Sequence, residues 1–215
     1  MNASARIKRL GAALMFTLCL PGGTAMATEE PAFKVTLKSG ALEVREYPPL
    51  IAAEVLVGGD RSQAVNAGFR LLAGYIFGGN TRRQSIAMTA PVVQAPASGE
   101  SIAMTAPVVQ TGAHGAWTVR FLMPRGYTLD TLPTPNDQRV QLLALPAARL
   151  AVVRFSGLAH EPDIQQKTTE LKAFIAAQQL VAAGPPSLAR YNPPWTLWFM
   201  RRNEIMIPVQ GEAAR

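Results

Sequence analysis

The residues best placed for chemistry lie in a ten-residue sequence that occurs twice, at 85–94 and at 101–110. Each copy reads Ser-Ile-Ala-Met-Thr-Ala-Pro-Val-Val-Gln, so a thioether and a hydroxyl shortly precede a proline. The alternation of larger and small residues predicts a half-buried strand. Pro91 and Pro107 cannot donate to a ladder, so we expect each copy to end or bend there, exposing Met and Thr beside a rigid corner suited to a ligand. It is equally consistent with the sequence that a hairpin strand was duplicated and that both copies only pack in the core without binding a ligand.

Other catalytic signals are sparse. The chain has two histidines. His114 lies in a glycine-rich turn, where a solvated role is expected. His160 directly precedes Glu161-Pro162 at a helix start, which suits a capping residue as readily as a functional one. HExxH, GxSxG, P-loop and GxGxxG patterns are absent from the sequence. We therefore predict no catalytic residue and no metal ligand.

A predicted helix over 61–77 presents two different faces. Apolar residues recur at helical spacing on one of them: Val65, Phe69, Leu72 and Ile76. The opposite face is half apolar and consists of Ala67, Arg70, Leu71 and Gly74, with Tyr75 at the border. Glycine inside a helix lowers helix stability by about 1 kcal/mol relative to alanine, so the presence of Gly68 and Gly74 calls for a structural or functional explanation. Close packing against another element would supply one, and a planar ligand on the outer face would supply another.

The segment 191–200 combines two prolines with large aromatic residues. Trp195 and Trp198 cannot both be buried in so short a loop. Arg201 and Arg202 follow and suit bidentate contacts with carboxylates, either on a ligand or on an internal acid such as Glu204.

Around these residues the pattern predicts an α+β domain. We expect a meander of strands, a first helix, further strands, a hairpin around Pro146-Ala147 and a second helix, with the following ranges: strands 33–38, 42–47, 51–57, 117–123, 140–145 and 150–155, and helices 61–77 and 161–182. Strands flanking the aromatic segment complete the chain. Two similar groups of strands and helix indicate an internal pseudo-repeat in a curved antiparallel sheet. A closed or nearly closed barrel would remove the exposed strand edges.

The first 27 residues predict a secretory signal peptide. Arg6, Lys8 and Arg9 precede an apolar run over 10–20, and Ala25-Met-Ala27 forms a cleavage site. The run is too short to span a bilayer. We expect cleavage after Ala27 to leave 28–215 as a single monomeric domain in the periplasm or outside the cell. The chain's one cysteine, Cys19, would be removed with the signal.

The net charge of +7 does not by itself indicate a nucleic-acid partner. Basic residues are scattered and form no stripe with interleaved aromatic residues. Part of the charge belongs to the signal segment. What remains favours only weak attraction to carboxylates or to an anionic membrane surface.

Taken in order, several motifs of the chain resemble the SOUL heme-binding protein family. They cover nearly the whole predicted domain: Glu43-Val-Arg-Glu-Tyr47, Gly78-Gly79-Asn80, Met88-Thr-Ala-Pro-Val92 with its copy at 104–108, Tyr191-Asn-Pro-Pro194 and Arg201-Arg-Asn-Glu204. The resemblance implies a distorted antiparallel β-barrel of two pseudo-repeated halves flanked by two main α-helices. This fold agrees with the independent interpretation of the pattern.

The resemblance also implies a ligand site. A tetrapyrrole would lie non-covalently on the outer face of the first helix, beneath the aromatic segment, and the residues in these places are Ala67, Arg70, Leu71, Gly74, Pro193, Pro194, Trp195, Trp198 and Arg201. Arg70, or else Arg201, would meet the propionates. Neither histidine falls on the helix or in the aromatic segment. Met88, Met104 or Met200 could substitute as axial ligands, although methionine in such strands usually fills the core.

The resulting hypothesis is an exported carrier or buffer of heme or another porphyrin. Two other functions stay open: a hydrolase-type enzyme acting on a small molecule in the cleft of a two-half barrel, and a protein-interaction module that uses the aromatic segment. The enzyme would need an acid or base in the cleft. The candidates are Glu43, Glu46, Tyr47 and Glu54, which the strand pattern predicts to be solvated.

Overall fold

The computed structural model describes residues 28–97, 115–193 and 195–211. Within these ranges the chain forms ten strands and two α-helices: β1 (Lys34–Ser39), β2 (Leu42–Tyr47), β3 (Leu50–Gly58), α1 (Arg61–Ile76), β4 (Val92–Pro96), β5 (Ala116–Leu122), β6 (Gln141–Leu145), β7 (Ala148–Ser156), α2 (Glu161–Ala177), β8 (Val181–Ala182), β9 (Ser187–Arg190) and β10 (Arg202–Gln210). The predicted signal segment, the second copy of the repeat, Met104, His114 and Pro194 lie outside the described residues.

The strands form one antiparallel sheet whose order is β1-β2-β7-β10-β9-β4-β5-β3-β6, with β8 also paired to β10. The predicted meander is therefore wrong beyond its first hairpin, because β3 pairs with β5 and β6 rather than with β2. The predicted hairpin around Pro146 is wrong as well, since β7 pairs with β2 and β10. Both short connections contain proline, which lacks the N–H donor that a hairpin turn uses.

The order of strands shows that the sheet consists of two similar halves. The series β2-β7-β10-β9 from one side corresponds to β6-β3-β5-β4 from the other, and β9 pairs with β4 where the halves meet. Only Pro48 and Pro49 separate β2 from β3, although these strands lie near opposite ends of the sheet. The two ends must therefore approach each other, and the sheet curls into a half-barrel. This architecture confirms the predicted α+β barrel.

Both helices pack on the same face of the curled sheet. Leu72, Tyr75 and Ile76 of α1 form one core cluster with side chains of β3 and β5, such as Val55 and Val119. The corresponding cluster under α2 contains Leu171, Phe174 and Ile175 together with Val153, Ile205 and Ile207. Successive residues of a strand point to opposite faces. The alternate residues of these strands therefore face the inside of the half-barrel.

The first copy of the repeat is a packed connection rather than a strand. Strand β4 begins only at Val92, directly after Pro91. Ile86 is buried, and Thr89 is buried with its hydroxyl donating to the carbonyl of Leu122 in β5. Met88 is half-buried against the α1 cluster. The expectation of exposed Met and Thr is therefore wrong for this copy, because the Thr hydroxyl finds a backbone acceptor that compensates its burial.

The second helix begins as predicted and ends earlier. His160 occupies the N-cap position, and its backbone N–H donates to the Asp163 carboxylate at 3.1 Å, which confirms the capping prediction. The helix ends at Ala177 instead of Ala182, because Gln179 adopts a left-handed φ of 57° and breaks the helical path. Among the described residues, no helix has the length and apolar character needed to cross a membrane.

Candidate functional site

Helix α1 positions the predicted ligand face. Asp60 caps its start by accepting from the backbone N–H of Gln63 at 2.8 Å. Its buried residues are Ala64, Gly68, Leu72, Tyr75 and Ile76. The buried stripe is therefore rotated from the predicted one, and Val65 and Phe69 are only half-buried at its border. The rotation follows from Gly68, because a Cβ there would lie 2.7 Å from Val119, so only glycine lets the helix approach β5 this closely.

The outer face of α1 carries the four predicted contact residues. Arg70 and Gly74 are exposed, whereas Ala67 and Leu71 are half-buried at the edges of the face, and Leu71 also packs against the α1 core cluster. A Cβ built on Gly74 meets nothing within 4 Å. Packing therefore explains the glycine at position 68 but not the one at position 74. The absence of a side chain at Gly74 leaves a flat, open area between Arg70 and the end of the helix.

A further residue of this face was not singled out from the sequence. Phe77, the C-cap of α1, is 66% exposed. It lies three residues after Gly74 and seven after Arg70, a spacing that places all three on one side of a helix. The spacing could have identified Phe77, but the glycines that follow it indicated only the end of the helix. The outer face is thus bordered by an aromatic ring.

Hydrogen bonds hold the end of this helix in place. The Tyr75 hydroxyl donates to the carbonyl of Pro133 at 2.9 Å, and burial raises the pKa of Tyr75 to about 12. The side-chain amide of Asn80 donates to the carbonyls of Tyr75 and Gln84 at 3.0 and 2.7 Å. Both side chains are buried. The Gly78-Gly79-Asn80 motif therefore anchors the connection after α1.

The aromatic segment is exposed, as its length predicted. Trp195 and Trp198 are 82% and 60% exposed, and Trp198 makes an edge contact with Phe199 at 5.7 Å between centroids. The backbone of the segment is ordered by its own contacts: Thr196 donates to the carbonyl of Pro193 at 3.0 Å, and Arg201 donates through Nε to the carbonyl of Thr196 at 2.8 Å. The segment thus presents large apolar side chains on a folded turn.

The predicted site residues fall into two groups. Trp198 lines a depression with His160 and other residues at the start of α2. At this end of the molecule, Arg61 of α1 contacts Glu161 of α2 at 3.0 Å. Gly74 lies thirteen residues further along α1, which is about 20 Å at the helical rise. A single site that joins the aromatic segment to the face around Gly74 therefore stays a prediction.

Glu204 is the centre of a buried charged network on the inner face of the sheet. Its carboxylate accepts two hydrogen bonds from Arg45, at 2.8 and 3.1 Å, one from the Tyr191 hydroxyl at 2.6 Å, and further bonds from Arg202. Burial alone would raise the pKa of Glu204, but the hydrogen bonds from Arg45 and Tyr191 outweigh it and hold that pKa below its usual range. Of the two kinds of partner considered for Arg202, the structure shows the internal acid, Glu204.

The four candidate acids and bases differ in their surroundings. Tyr47 is buried and its hydroxyl accepts from Arg45, so its prediction as a solvated residue is wrong. Glu43 is half-buried and pairs with Arg45 at 2.7 Å, and Glu54 pairs with Arg120. Glu46 is exposed as predicted. The sequence pattern missed the burial because it could not show that the curled sheet covers this face.

Within the described ranges, no three His, Cys, Asp or Glu residues come together in a way that could hold a metal ion. Of the three methionines considered as axial ligands, Met88 packs into the core and Met200 is 63% exposed in the aromatic segment. The residues around Gly74 accordingly provide apolar contact and one positive charge.

The comparisons with known proteins agree with this fold. The SOUL heme-binding protein family model matches residues 28–208. The chain therefore belongs to the SOUL heme-binding protein family. No curated protein matches the chain significantly.

Solved structures with the same fold include proteins of different kinds. The EcmrR C-terminal domain superposes with a TM-score of 0.56 at 13% identity, covering 79% of this chain and 96% of its own. A hydrolase from Listeria innocua superposes with a TM-score of 0.54 at 14% identity, covering 81% of this chain and 94% of its own. At these identities the similarity extends to the fold alone.

Proposed function

We propose that this protein binds heme or another porphyrin non-covalently on the outer face of α1 and acts as a carrier or buffer of the tetrapyrrole. The observation that carries the proposal is the contrast between Gly68 and Gly74. Packing against Val119 requires the first glycine, whereas open space surrounds the second. A glycine that costs helix stability without a packing partner is expected where a flat ligand must approach the backbone.

The chemistry of the face suits a macrocycle with an apolar body and carboxylate substituents. Leu71 and Phe77 supply apolar surface on two sides of Gly74. The guanidinium of Arg70 is exposed and can form charge-assisted hydrogen bonds with a propionate. Bound heme would supply its own iron chemistry. The residues of α1 hold the ring through contact area, and Arg70 orients its charged edge.

Export is part of the proposal. The family match begins at residue 28, directly after the predicted cleavage site at Ala27. An apolar macrocycle that is poorly soluble in water needs a carrier in an aqueous compartment such as the periplasm. Intact-mass analysis of the exported protein should give a chain that starts at Thr28. Recovery of only the full-length chain would contradict export.

The test of the site is an absorbance titration with hemin and with protoporphyrin IX. Wild-type protein should produce a saturable change in the Soret band, and Gly74→Trp should remove it because the indole occupies the open area. Ala173→Trp is the matched control, since Ala173 is an exposed position on α2. Circular dichroism checks the fold of each variant. Equal binding by wild type and Gly74→Trp would contradict the proposed face, and no binding by wild type would contradict the carrier function.

A further inference from the structure

A cavity of about 300 Å³ lies inside the half-barrel, on the face of the sheet opposite the helices. Val93 of β4 lines it, whereas the next residue, Gln94, donates to the carbonyl of Arg61 in α1. Met206 of β10 lines it, whereas Ile205 packs under α2. The volume falls at the lower end of the range of about 300 to 1,000 Å³ typical of small-molecule sites. The cavity is separate from the outer face of α1.

The walls of this cavity are apolar and stiff. Leu50, Leu145 and Leu150 line it from three strands. Pro48 and Pro146, from the two short connections that bring the ends of the sheet together, also line it. Proline has a fixed φ, so these corners cannot readily fold inward to fill the space. A preformed apolar cavity binds a ligand with little cost of ordering its walls.

The charged side chain among the residues that line this cavity is already paired. Arg120, which lines the cavity, donates through Nε to Glu54. On the other half of the sheet, Arg45 and Arg202 neutralise Glu204. An ion entering an apolar cavity loses hydration and would find no unpaired opposite charge in these clusters to compensate it. The cavity therefore favours a neutral molecule.

Two tyrosines line the cavity, and their hydroxyls differ in the hydrogen bonds that they already make. Tyr191 gives its hydrogen to Glu204 at 2.6 Å. Tyr47 accepts from Arg45 at 3.3 Å, and because a phenol is both donor and acceptor, its own hydrogen is directed elsewhere. Burial raises the pKa of Tyr47, which keeps that hydrogen in place. Tyr47 can therefore donate to an acceptor in the cavity.

We propose that this cavity is a second ligand site, which binds a small neutral, largely apolar molecule through contact with its walls and a hydrogen bond from Tyr47 to a carbonyl oxygen. The proposal does not depend on tetrapyrrole binding, because the two sites lie on opposite faces of the sheet. An aromatic ketone has the required chemistry: an apolar body, no charge and one carbonyl acceptor.

The probe for this site is 6-propionyl-2-dimethylaminonaphthalene, a neutral aromatic ketone whose emission shifts to the blue in apolar surroundings and to the red when its carbonyl accepts a hydrogen bond. Purified wild-type protein should bind it saturably. Tyr47→Phe should bind it several-fold more weakly, with a further blue shift of the bound probe. Ala95→Trp should abolish binding because Ala95 lines the cavity, whereas Ala144→Trp, at an exposed strand position outside it, should not.

Competition separates this site from others. The trimethylammonium derivative of the same ketone serves as a cationic competitor, and it should leave the fluorescence of the bound neutral probe unchanged. Gly74→Trp should bind the probe as wild type does. Displacement by the cationic derivative would contradict selection for a neutral molecule. Lack of saturable binding by wild type, or unchanged binding and emission in both Tyr47→Phe and a folded Ala95→Trp, would overturn the proposal. Loss of probe binding in Gly74→Trp would show that the two sites are one.

Discussion

Val93 of β4 lies directly opposite Ala189 of β9, and this pair joins the two halves of the sheet. In the next strand on each side, Arg120 of β5 lies opposite Val93, and Glu204 of β10 lies opposite Ala189. Equivalent positions of the two halves thus carry opposite charges on the inner face. Each charge is neutralised by neighbours, Arg120 by Glu54 and Glu204 by arginines. The two halves of the sheet therefore share a backbone framework, but the side chains at equivalent positions differ in their chemistry.

The two glycines of α1 provide a matched pair of substitutions. Gly68→Ala should destabilise the protein by about 1 to 3 kcal/mol, because its Cβ would overlap Val119. Gly74→Ala should instead stabilise it by up to about 1 kcal/mol, since the new methyl group meets open space and alanine favours the helix. Urea unfolding of both variants measures the difference. Equal effects at the two positions would contradict the different roles assigned to them.

Glu204 should be critical for stability because it is fully buried among arginines. Glu204→Gln removes the carboxylate that accepts two hydrogen bonds from the buried Arg45 and leaves that guanidinium paired with Glu43 alone; the loss expected for breaking a buried pair is about 3 to 5 kcal/mol. Glu161→Gln is the control, since it breaks the more exposed pair with Arg61, for which less than about 1 kcal/mol is expected. Denaturant unfolding compares the two. A small loss in Glu204→Gln would show that the network is not needed.

The same network predicts how stability depends on acid. The folded-state pKa values of Glu43 and Glu204 lie below the ordinary glutamate value of 4.5, so the unfolded chain binds protons more readily at these groups. Their contribution is complete above about pH 4.5 and is lost as the pH falls through the folded-state values. Thermal unfolding between pH 6 and pH 3 should show the decline. The stability of Glu204→Gln should fall less steeply as the pH is lowered. An unchanged pH profile of stability in that variant would show that Glu204 does not contribute to the acid dependence.

Local features of the fold could be predicted from the sequence, whereas the pairing of strands could not. The bounds of β2 and the start of α1 follow from alternation, helical periodicity and Asp60, which are properties of neighbouring residues. The pairing of β3 with β5 and β6 depends on contacts between distant parts of the chain. The same limit explains Tyr47, whose burial results from the curl of the sheet and not from its strand pattern.

The site shows the same division. Helical periodicity placed Arg70 and Gly74 on the outer face of α1, where the structure has them. It could not distinguish the reasons for the two glycines, because Val119, the residue that excludes a side chain at Gly68, lies in a strand 51 positions further along the chain. Nor could it locate Trp198 beside α2, since the position of a loop depends on the elements that it contacts.

Binding of heme should depend on the shape of the α1 face more than on any one polar side chain. Arg70→Ala removes one exposed charge-assisted contact, worth about 1 to 3 kcal/mol in general, so affinity should fall without being lost. Replacing both His114 and His160 with alanine should leave affinity near that of wild type, because His160 caps α2 and neither histidine lies on α1. Hemin titrations of these variants beside wild type and Gly74→Trp, with circular dichroism as the fold control, measure the order of effects. If the double histidine variant alone loses the Soret change, an axial histidine holds the iron, and the mechanism of apolar contact on α1 is wrong.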